Sequence, residues 1–228
     1  GQELWDQLCQ GFGLRAFLAG GSGIQMGGWF QKEILSTEDI KGIKMRIPGF
    51  GAEVINRMGG TAVNLPGGEI MPALQSGVID ATEWVGPWND LAFGFYKVAK
   101  YYYGPGFHEP SSALECLVNL EAYNALPPDL KSIVQHACKA ENVGMVSEFT
   151  AANSASQTVL VDEHNVQIRH FPDDVVRTAF SLAGDVVAET AEFDALAKDI
   201  YEHWSHFRSE AIARGPYAEQ GYMNNRAL

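Results

Sequence analysis

The region from residue 40 to residue 85 alternates between short apolar runs and amphipathic segments, with glycine or proline at the joints. The segments GAEVINRMG and EIMPALQSG predict helices, and the apolar runs predict three strands: IKMRIPG, TAVNLPGG and VIDATEW. The third run opens with Val78 and Ile79, as a buried strand should. Strands that alternate with helices across short joints are typical of βαβ units with parallel strands. We therefore expect an α/β sheet here.

The flanking segments predict further elements. On the N-terminal side, residues 14–18 predict a strand, and a glycine-rich loop follows them. After residue 90 an aromatic stretch predicts a helix or a loop, and ALECLVNLEAYNAL predicts a strand and the start of a helix. A long helical pattern opens at Pro127-Pro128 and continues to about His164. VQIRHFP predicts a short strand, and residues 173–214 have the apolar spacing of a helix.

Length and composition limit the classes to which the chain can belong. With 228 residues, 46% of them hydrophobic, it can bury a core as one large domain or two small lobes. A formal net charge of −12 argues against a nucleic-acid or anionic-membrane surface, but it allows a small anion held by one or two positive groups. No apolar run reaches the roughly 18 residues of a membrane span, and the opening residues Gly1–Trp5 are expected to be helical rather than a signal peptide. Three cysteines fit neither a zinc site nor a dense disulfide framework, which predicts buried free thiols.

Charged and aromatic residues stand where two of the predicted strands end. Arg46 lies late in the first strand, and Glu83 and Trp84 close the third. Because ligands of open α/β sheets bind at the carboxyl ends of the strands, these side chains are expected to face one crevice. Two interpretations stay open. Arg46 and Glu83 form a salt bridge that holds the sheet, or a small anion on Arg46 and a hard cation on Glu83 share the crevice.

Other oxygen atoms are candidates for the same cation. Hard cations prefer carboxylates, peptide carbonyls and amide side chains. Gln25 in the glycine-rich loop supplies an amide oxygen, Trp84 a peptide carbonyl, and Glu109 in FHEP a second carboxylate, although residues such as Gln25 and Glu109 are more often simple surface residues. His108 is a weak acid–base candidate, and no catalytic elbow, zinc-protease or P-loop motif occurs in the sequence. A binding protein is therefore expected rather than an enzyme.

Several long stretches carry a family resemblance: KMRIPG, LPGGEIMPALQSGVIDATEWVGP, KVAKYYYGPGFHEP and AGGSGIQMGGWFQKEI. Over essentially its whole length the sequence closely resembles the DctP-type solute-binding proteins of TRAP transporters, in particular the branch that binds 2-oxo acids and lactate. The resemblance implies a periplasmic receptor that closes on an organic anion and delivers it to a sodium-coupled membrane permease. The implied ligand is a short monocarboxylate such as pyruvate or lactate, with a dicarboxylate or a sugar acid as the alternative.

The resemblance also implies roles for the candidate residues. It assigns Arg46 to the carboxylate of the substrate. It assigns Gln25, Glu83 and the carbonyl of Trp84 to a bound cation that also touches the substrate, and Glu109 to the same pocket. One carboxylate among neutral oxygens is a modest field, which favours sodium over calcium.

The implied architecture is a two-lobed periplasmic-binding-protein-like α/β fold with open mixed sheets, a long spanning helix and a C-terminal helix. Family members carry a further N-terminal segment, so the first lobe is expected to be incomplete. Residues 1–19 and 110–150 are predicted to form the remnant of that lobe with the spanning helix. Residues 20–109 and 165–185 are predicted to form the second lobe, and residues 186–228 a C-terminal helical region.

The C-terminal region predicts an interface between two copies of the chain. Its apolar residues form one helical stripe, before a stop at Gly215-Pro216: Phe193, Leu196, Ile200, Trp204, Phe207 and Ile212. Some members of the resembling branch dimerise by exchanging C-terminal helices, so a homodimer is expected. The rival interpretation is an interaction module without a ligand, in which this helix and the aromatic run Tyr101-Tyr102-Tyr103 contact other proteins.

Overall fold

The computed structural model describes residues 1–226, which contain eight strands and nine α-helices. The strands are β1 (Leu14–Gly21), β2 (Gly28–Phe30), β3 (Lys44–Arg46), β4 (Thr61–Val63), β5 (Ala81–Thr82), β6 (Tyr101–Tyr103), β7 (Ala113–Asn119) and β8 (Gln167–Arg169). The helices are α1 (Gln2–Gln10), α2 (Gly49–Arg57), α3 (Gly67–Ser76), α4 (Pro87–Phe93), α5 (Leu120–Ala125), α6 (Pro128–Asp162), α7 (Asp173–Thr190), α8 (Ala195–Arg214) and α9 (Glu219–Arg226). The expected α/β class with mixed sheets is confirmed.

Six strands form the main sheet, in the order β4-β3-β5-β2-β6-β8. β3 lies parallel to both β4 and β5, as the alternating sequence pattern predicts. β2 lies antiparallel to β5 and β6, and β8 lies parallel to β6. Arg46 at the end of β3 is paired with Thr82 at the end of β5, so the carboxyl ends of these two strands coincide.

Apolar clusters cover both faces of this sheet. Successive residues of a strand point to opposite faces, so Tyr102 lies in the cluster that contains Leu74 of α3, and Tyr103 in the cluster that contains Val175 of α7. The aromatic run Tyr101-Tyr102-Tyr103 is therefore the interior strand β6 rather than a helix, a loop or a surface for protein contacts. Tyr102 and Tyr103 are 0% and 1% exposed, which overturns that interpretation of the run.

The antiparallel strands β1 and β7 form a second, two-stranded sheet against which α6 packs. β1 extends to Gly21, so its last two glycines belong to the strand and not to the predicted loop. A Cβ atom at Gly20 would lie 2.6 Å from the sulfur of Met145, which explains why glycine allows α6 to approach. With 35 residues, α6 is about 50 Å long and reaches both sheets. The lobe boundaries stay a prediction.

Two predicted elements differ in extent from those in the structure. Only Ala81–Thr82 of VIDATEW is a strand, because Val78 follows the left-handed Gly77 cap of α3 and is 56% exposed. The helix predicted over residues 173–214 is two helices, since Asp194 accepts a hydrogen bond from the Ala197 amide at 2.7 Å and begins α8.

Two sequence expectations concern the membrane and the thiols. Among residues 1–226, no helix combines the length and the apolar character that crossing a membrane requires. In the same part of the chain the cysteines are free, with Cys9 and Cys138 buried and Cys116 half-buried. Burial raises the pKa of the Cys9 and Cys138 thiols, which makes both poor nucleophiles at neutral pH.

Candidate functional site

The parallel pairing of β3 with β5 brings Arg46 against Glu83. The amide of Glu83 donates to the carbonyl of Arg46 at 3.1 Å, and Nη1 of Arg46 lies 2.6 Å from Oε1 of Glu83. Both side chains are buried. The salt bridge that the sequence left open as one interpretation is therefore present in the structure.

The remaining contacts of Arg46 orient its guanidinium group. Nε donates to the carbonyl of Leu65 at 3.2 Å, and Nη1 donates to the carbonyl of Glu83 at 3.3 Å. The ring of Trp84 lies beside the group, with its centroid 5.2 Å from Cζ, which is cation–π distance. None of these hydrogen bonds uses Nη2. The planar group can therefore offer a further donor to an anion without giving up the contacts that hold it.

Gly28 fixes the backbone next to Glu83. Its φ of +124° favours glycine, and a Cβ atom there would lie 2.5 Å from the carbonyl oxygen of Thr82. Only glycine lets β2 lie this close to the end of β5. The hydroxyl of Thr82 donates to the carbonyl of Glu83 at 2.9 Å. This hydrogen bond and the close approach of Gly28 together fix the backbone of Thr82 and Glu83, where the candidate site begins.

Gln25 is clamped into the same region by its backbone. The neighbouring amide of Met26 donates to the carbonyl of Val85 at 3.0 Å, and the carbonyl of Gln25 accepts from Gly106 at 2.9 Å. The Gln25 side chain is buried, and its Nε2 donates to the hydroxyls of Ser22 at 3.0 Å and Ser112 at 2.6 Å.

The amide oxygen of Gln25 is the feature that suits a cation. Oε1 is buried and has no hydrogen-bond partner within residues 1–226. Leaving a buried acceptor unpaired costs about 1–3 kcal/mol, so an unpaired amide oxygen inside a polar cluster needs a physical reason. A hard cation is one, because it takes such oxygens as ligands.

A group of ionisable side chains completes the cluster. The possible ligand atoms of Glu83, His108 and Glu109 all lie within 4.8 Å of one another. His108 Nε2 lies 3.2 Å from the second carboxylate oxygen of Glu83, and the hydroxyl of Ser112 donates to Glu109 at 2.8 Å. Ser112 therefore links Gln25 to Glu109.

Part of this arrangement is not predicted from the sequence. The sequence marks His108 only as an acid–base candidate, and it does not single out Ser22 or Ser112. His108 precedes Glu109, and Ser112 follows it by three residues, so their position beside a predicted ligand was the one available signal. The structure brings Arg46, Gln25, Glu83 and Glu109 together, and it places Trp84 directly after Glu83 in the chain. The ligand roles of these five residues, including that of the Trp84 carbonyl, stay predictions.

The formal charges of the cluster determine what it can hold. The cluster contains one guanidinium group, which pairs with Glu83, and a second carboxylate, Glu109, next to Glu83. This excess of carboxylates repels an approaching organic anion unless a positive ion enters with it. A cation bound by oxygen atoms would reverse this balance. The arrangement therefore favours joint binding of an anion and a hard cation.

Comparison with known proteins gives one family. The sequence model of the bacterial extracellular solute-binding proteins, family 7 (DctP), matches residues 3–193. A monocarboxylate 2-oxoacid-binding periplasmic protein of Nostoc sp. (strain PCC 7120) is 40% identical over 235 residues, which cover 98% of this chain and 64% of that protein. The chain thus spans slightly less than two thirds of the length of this curated relative.

Solved structures of TRAP periplasmic solute-binding proteins have the same fold. One from Pseudoalteromonas atlantica, with bound sodium and pyruvate, is 39% identical with a TM-score of 0.91, over 98% of this chain and 68% of that one. One from Colwellia psychrerythraea, with bound calcium and pyruvate, is 40% identical with a TM-score of 0.93, over 99% and 69%. One from Bordetella bronchiseptica, a dimer with calcium and picolinate, is 34% identical with a TM-score of 0.94, over 99% and 67%. The predicted two-lobed fold class is confirmed, and the chain belongs to family 7 of the bacterial extracellular solute-binding proteins.

Proposed function

We propose that this chain forms the greater part of a TRAP-transporter receptor that captures a short monocarboxylate, pyruvate or another 2-oxo acid or lactate, together with a hard cation. The observation that carries the proposal is one largely buried cluster, in which Arg46 pairs with Glu83, Glu109 lies next to Glu83, and Ser112 links Glu109 to a Gln25 whose Oε1 is unpaired. The names of the Nostoc, Pseudoalteromonas and Colwellia proteins support the ligand class.

Each residue has a separate task in this proposal. Arg46 binds the carboxylate of the ligand, and the ring of Trp84 forms a wall of the pocket. Gln25, Glu83, Glu109 and the carbonyl of Trp84 bind the cation, which also contacts the ligand. Because cation and anion attract each other inside a buried site, each should raise the affinity for the other by the same factor.

The number of carboxylates in the cluster bears on whether the cation is sodium or calcium. Sodium is expected where a single carboxylate binds the ion, but Glu109 lies close enough to Glu83 to add a second. Two carboxylates strengthen the field and suit calcium better than one does. The related structures contain sodium in one case and calcium in another. We therefore propose a hard cation of either kind as the natural ligand.

We extend the proposal to the cellular location of the protein and to its partners. The family description is extracellular, and the Nostoc relative is named as periplasmic, which supports a periplasmic receptor that delivers its ligand to a TRAP membrane permease. The Bordetella relative was solved as a dimer, which supports the predicted homodimer.

Isothermal titration calorimetry of the chain with pyruvate, lactate, malate and sialic acid tests the proposal. Each ligand is titrated in sodium, in calcium and in choline as an inert cation. Binding of pyruvate or lactate that is strongest in sodium or calcium is the expected result. No binding of either monocarboxylate, or equal affinity for malate or sialic acid, would overturn the ligand class, and turnover of a ligand would contradict a purely binding function.

A further inference from the structure

A buried carboxylate behind the candidate site, Asp90 in the first turn of α4, receives four hydrogen bonds. Its Oδ2 accepts from the indole nitrogen of Trp29 at 2.9 Å and from the hydroxyl of Tyr102 at 2.7 Å. Its Oδ1 accepts from the backbone amides of Val85 and Gly86, both at 3.2 Å. Asp90 is only 1% exposed, so these four donors take the place of water around its carboxylate.

The four donors connect the candidate site to the centre of the main sheet. Trp29 lies on β2 and Tyr102 on β6, and their rings stack with centroids 4.0 Å apart. Val85 and Gly86 directly follow Trp84 in the chain. The carbonyl of Val85 also accepts the bond from Met26 that holds the loop of Gln25. Asp90 therefore ties the turn after Trp84 to two rigid strands.

The geometry of the peptide unit gives this bond a specific consequence. In a trans peptide the carbonyl of one residue and the N–H of the next point in opposite directions. Because the N–H of Val85 points at Asp90, the carbonyl of Trp84 points away from it. An anionic acceptor on that N–H also increases the negative charge on the carbonyl oxygen, since linked hydrogen bonds polarise one another.

We propose that Asp90 is a positioning residue that orients the Trp84 carbonyl as a ligand for the cation. The inference rests on the proposed function, since it explains why one proposed cation ligand of that site, the Trp84 carbonyl, has its direction. Asp90 lies at the N–H edge of this peptide unit, opposite the carbonyl, so it is not itself proposed as a ligand.

Only a carboxylate fits these four donors. Trp29 Nε1 and the two backbone amides can donate but not accept, and Tyr102 alone can reverse its role. At least one obligatory N–H donor faces each oxygen of Asp90. An asparagine would therefore direct its NH₂ group against an N–H whichever way its amide is turned. Removing the N–H of Trp29 would relieve this conflict, so Trp29→Phe should rescue Asp90→Asn.

The test measures cation affinity and melting temperature separately, by titrating sodium or calcium into the chain in saturating pyruvate. We expect Asp90→Asn to weaken cation binding at least about tenfold, since its single amide oxygen cannot accept from both Trp29 and the Val85 amide and the direction of the Trp84 carbonyl is no longer fixed. The double variant Trp29→Phe/Asp90→Asn should recover most of that loss, although its melting temperature falls further because an indole is missing from the core. Tyr102→Phe, which removes a bond on the Oδ2 side only, should lower the melting temperature and leave cation affinity within about twofold.

Each outcome has one meaning. If the wild-type chain binds neither cation, the proposed function fails. If it binds and Asp90→Asn binds equally well, or the double variant binds no better than the single one, the positioning role is wrong. If Asp90→Asn does not fold, Trp29→Phe/Asp90→Asn is compared with Trp29→Phe/Asp90→Ala, which leaves the Val85 amide without an acceptor. A tenfold weaker affinity in the alanine variant supports the role, and equal affinities overturn it.

Discussion

The guanidinium Nη1 of Arg46 lies 2.6 Å from the carboxylate of Glu83, and both side chains are buried at the carboxyl ends of adjacent parallel strands. A buried ion pair of this kind satisfies its own charges, so it can serve the fold alone or also serve a ligand. The two roles make different predictions for a substitution that keeps the charge.

Replacing Arg46 by lysine should weaken pyruvate binding by roughly one to two decades. The ammonium group keeps the positive charge but cannot reproduce the planar fork that bonds Leu65, Glu83 and a carboxylate ligand together. The lost charged hydrogen bond is worth about 1.5–3 kcal/mol. Calorimetry with pyruvate in sodium and in calcium measures the loss.

Arg57→Lys is the control for this prediction. Arg57 also forms paired hydrogen bonds to carboxylates, with Glu53 and Glu189, but it lies on the surface away from the crevice. This variant should leave pyruvate affinity unchanged. If Arg46→Lys behaves in the same way and only the melting temperature falls, the Arg46–Glu83 pair is a structural salt bridge.

Gln25→Met should abolish most of the stabilisation that the cation confers. Methionine fills a similar volume but supplies no oxygen in place of the unpaired Oε1. At a hundredfold excess over Kd a ligand stabilises the folded state by about 2.7 kcal/mol, which raises the melting temperature of a chain this size by roughly 5–10 °C. Differential scanning fluorimetry with and without cation, in constant pyruvate, measures this rise.

The side chain of Gln31 provides the comparison for Gln25. It donates one hydrogen bond, to the carbonyl of Leu74, at an exposed position outside the cluster. Gln31→Met should therefore retain the full rise in melting temperature. A full rise in Gln25→Met as well would show that Oε1 is not a ligand.

The contrast between Arg46 and His108 shows how far a sequence can predict this site. Arg46 and Glu83 follow predicted parallel strands, and the carboxyl ends of such strands meet at one edge, so their proximity is a consequence of the periodic pattern. His108 and Ser112 reach the cluster on the segment between β6 and β7. No periodicity governs the path of such a connection, and their contacts with Glu83 and Gln25 join residues 25 and 87 positions apart.

The fold shows the same limit in its shortest strands. β2 and β6 have three residues each, too few for a period of two to be recognised. Tyr102 and Tyr103 look like an exposed aromatic patch in sequence, yet both faces of their strand are covered by helices from distant parts of the chain. Tertiary packing, rather than local propensity, determines this strand.

The carboxyl group of Asp90 should titrate far above an ordinary aspartate. Burial raises its pKa from 3.8 to about 6, against the effect of its four hydrogen bonds. The folded chain therefore binds this proton more tightly than the unfolded chain. The contribution of Asp90 to the free energy of unfolding is largest below pH 3.8 and is lost as the pH rises through about 6.

Carbon-13 NMR of the aspartate carboxyl groups measures this titration, with assignment by the Asp90→Asn variant. Asp174 gives an internal contrast, because the hydrogen bond from the amide of Thr37 lowers its pKa below 3.8. The Asp90 midpoint should lie well above that of Asp174. A midpoint for Asp90 below 3.8 would mean that its hydrogen bonds outweigh the cost of burial.

The last prediction is that the C-terminal helices hold two copies of the chain together. No residue of α8 is buried within the described part of the chain, and its apolar side chains Trp204, Phe207 and Ile212 are 45%, 66% and 57% exposed. Gly215–Tyr217 forms a short 3-10 turn between α8 and α9, and the apolar tail residues Tyr222 and Met223 are also exposed. Residues 227 and 228 of the predicted C-terminal region lie outside the described residues.

Sedimentation velocity over a range of concentrations should find the intact chain dimeric and a chain shortened to end at Gly215 monomeric. A charge in the middle of the apolar stripe tests the same surface without shortening the chain, because burying an unpaired carboxylate in an interface is costly. Phe207→Glu should therefore dissociate the dimer, whereas Leu35→Glu, at a side chain that is 71% exposed in the connection before β3, should not. If the intact chain is monomeric at high concentration, or if the shortened chain still dimerises, the tail beyond Gly215 is not the element that joins the two copies.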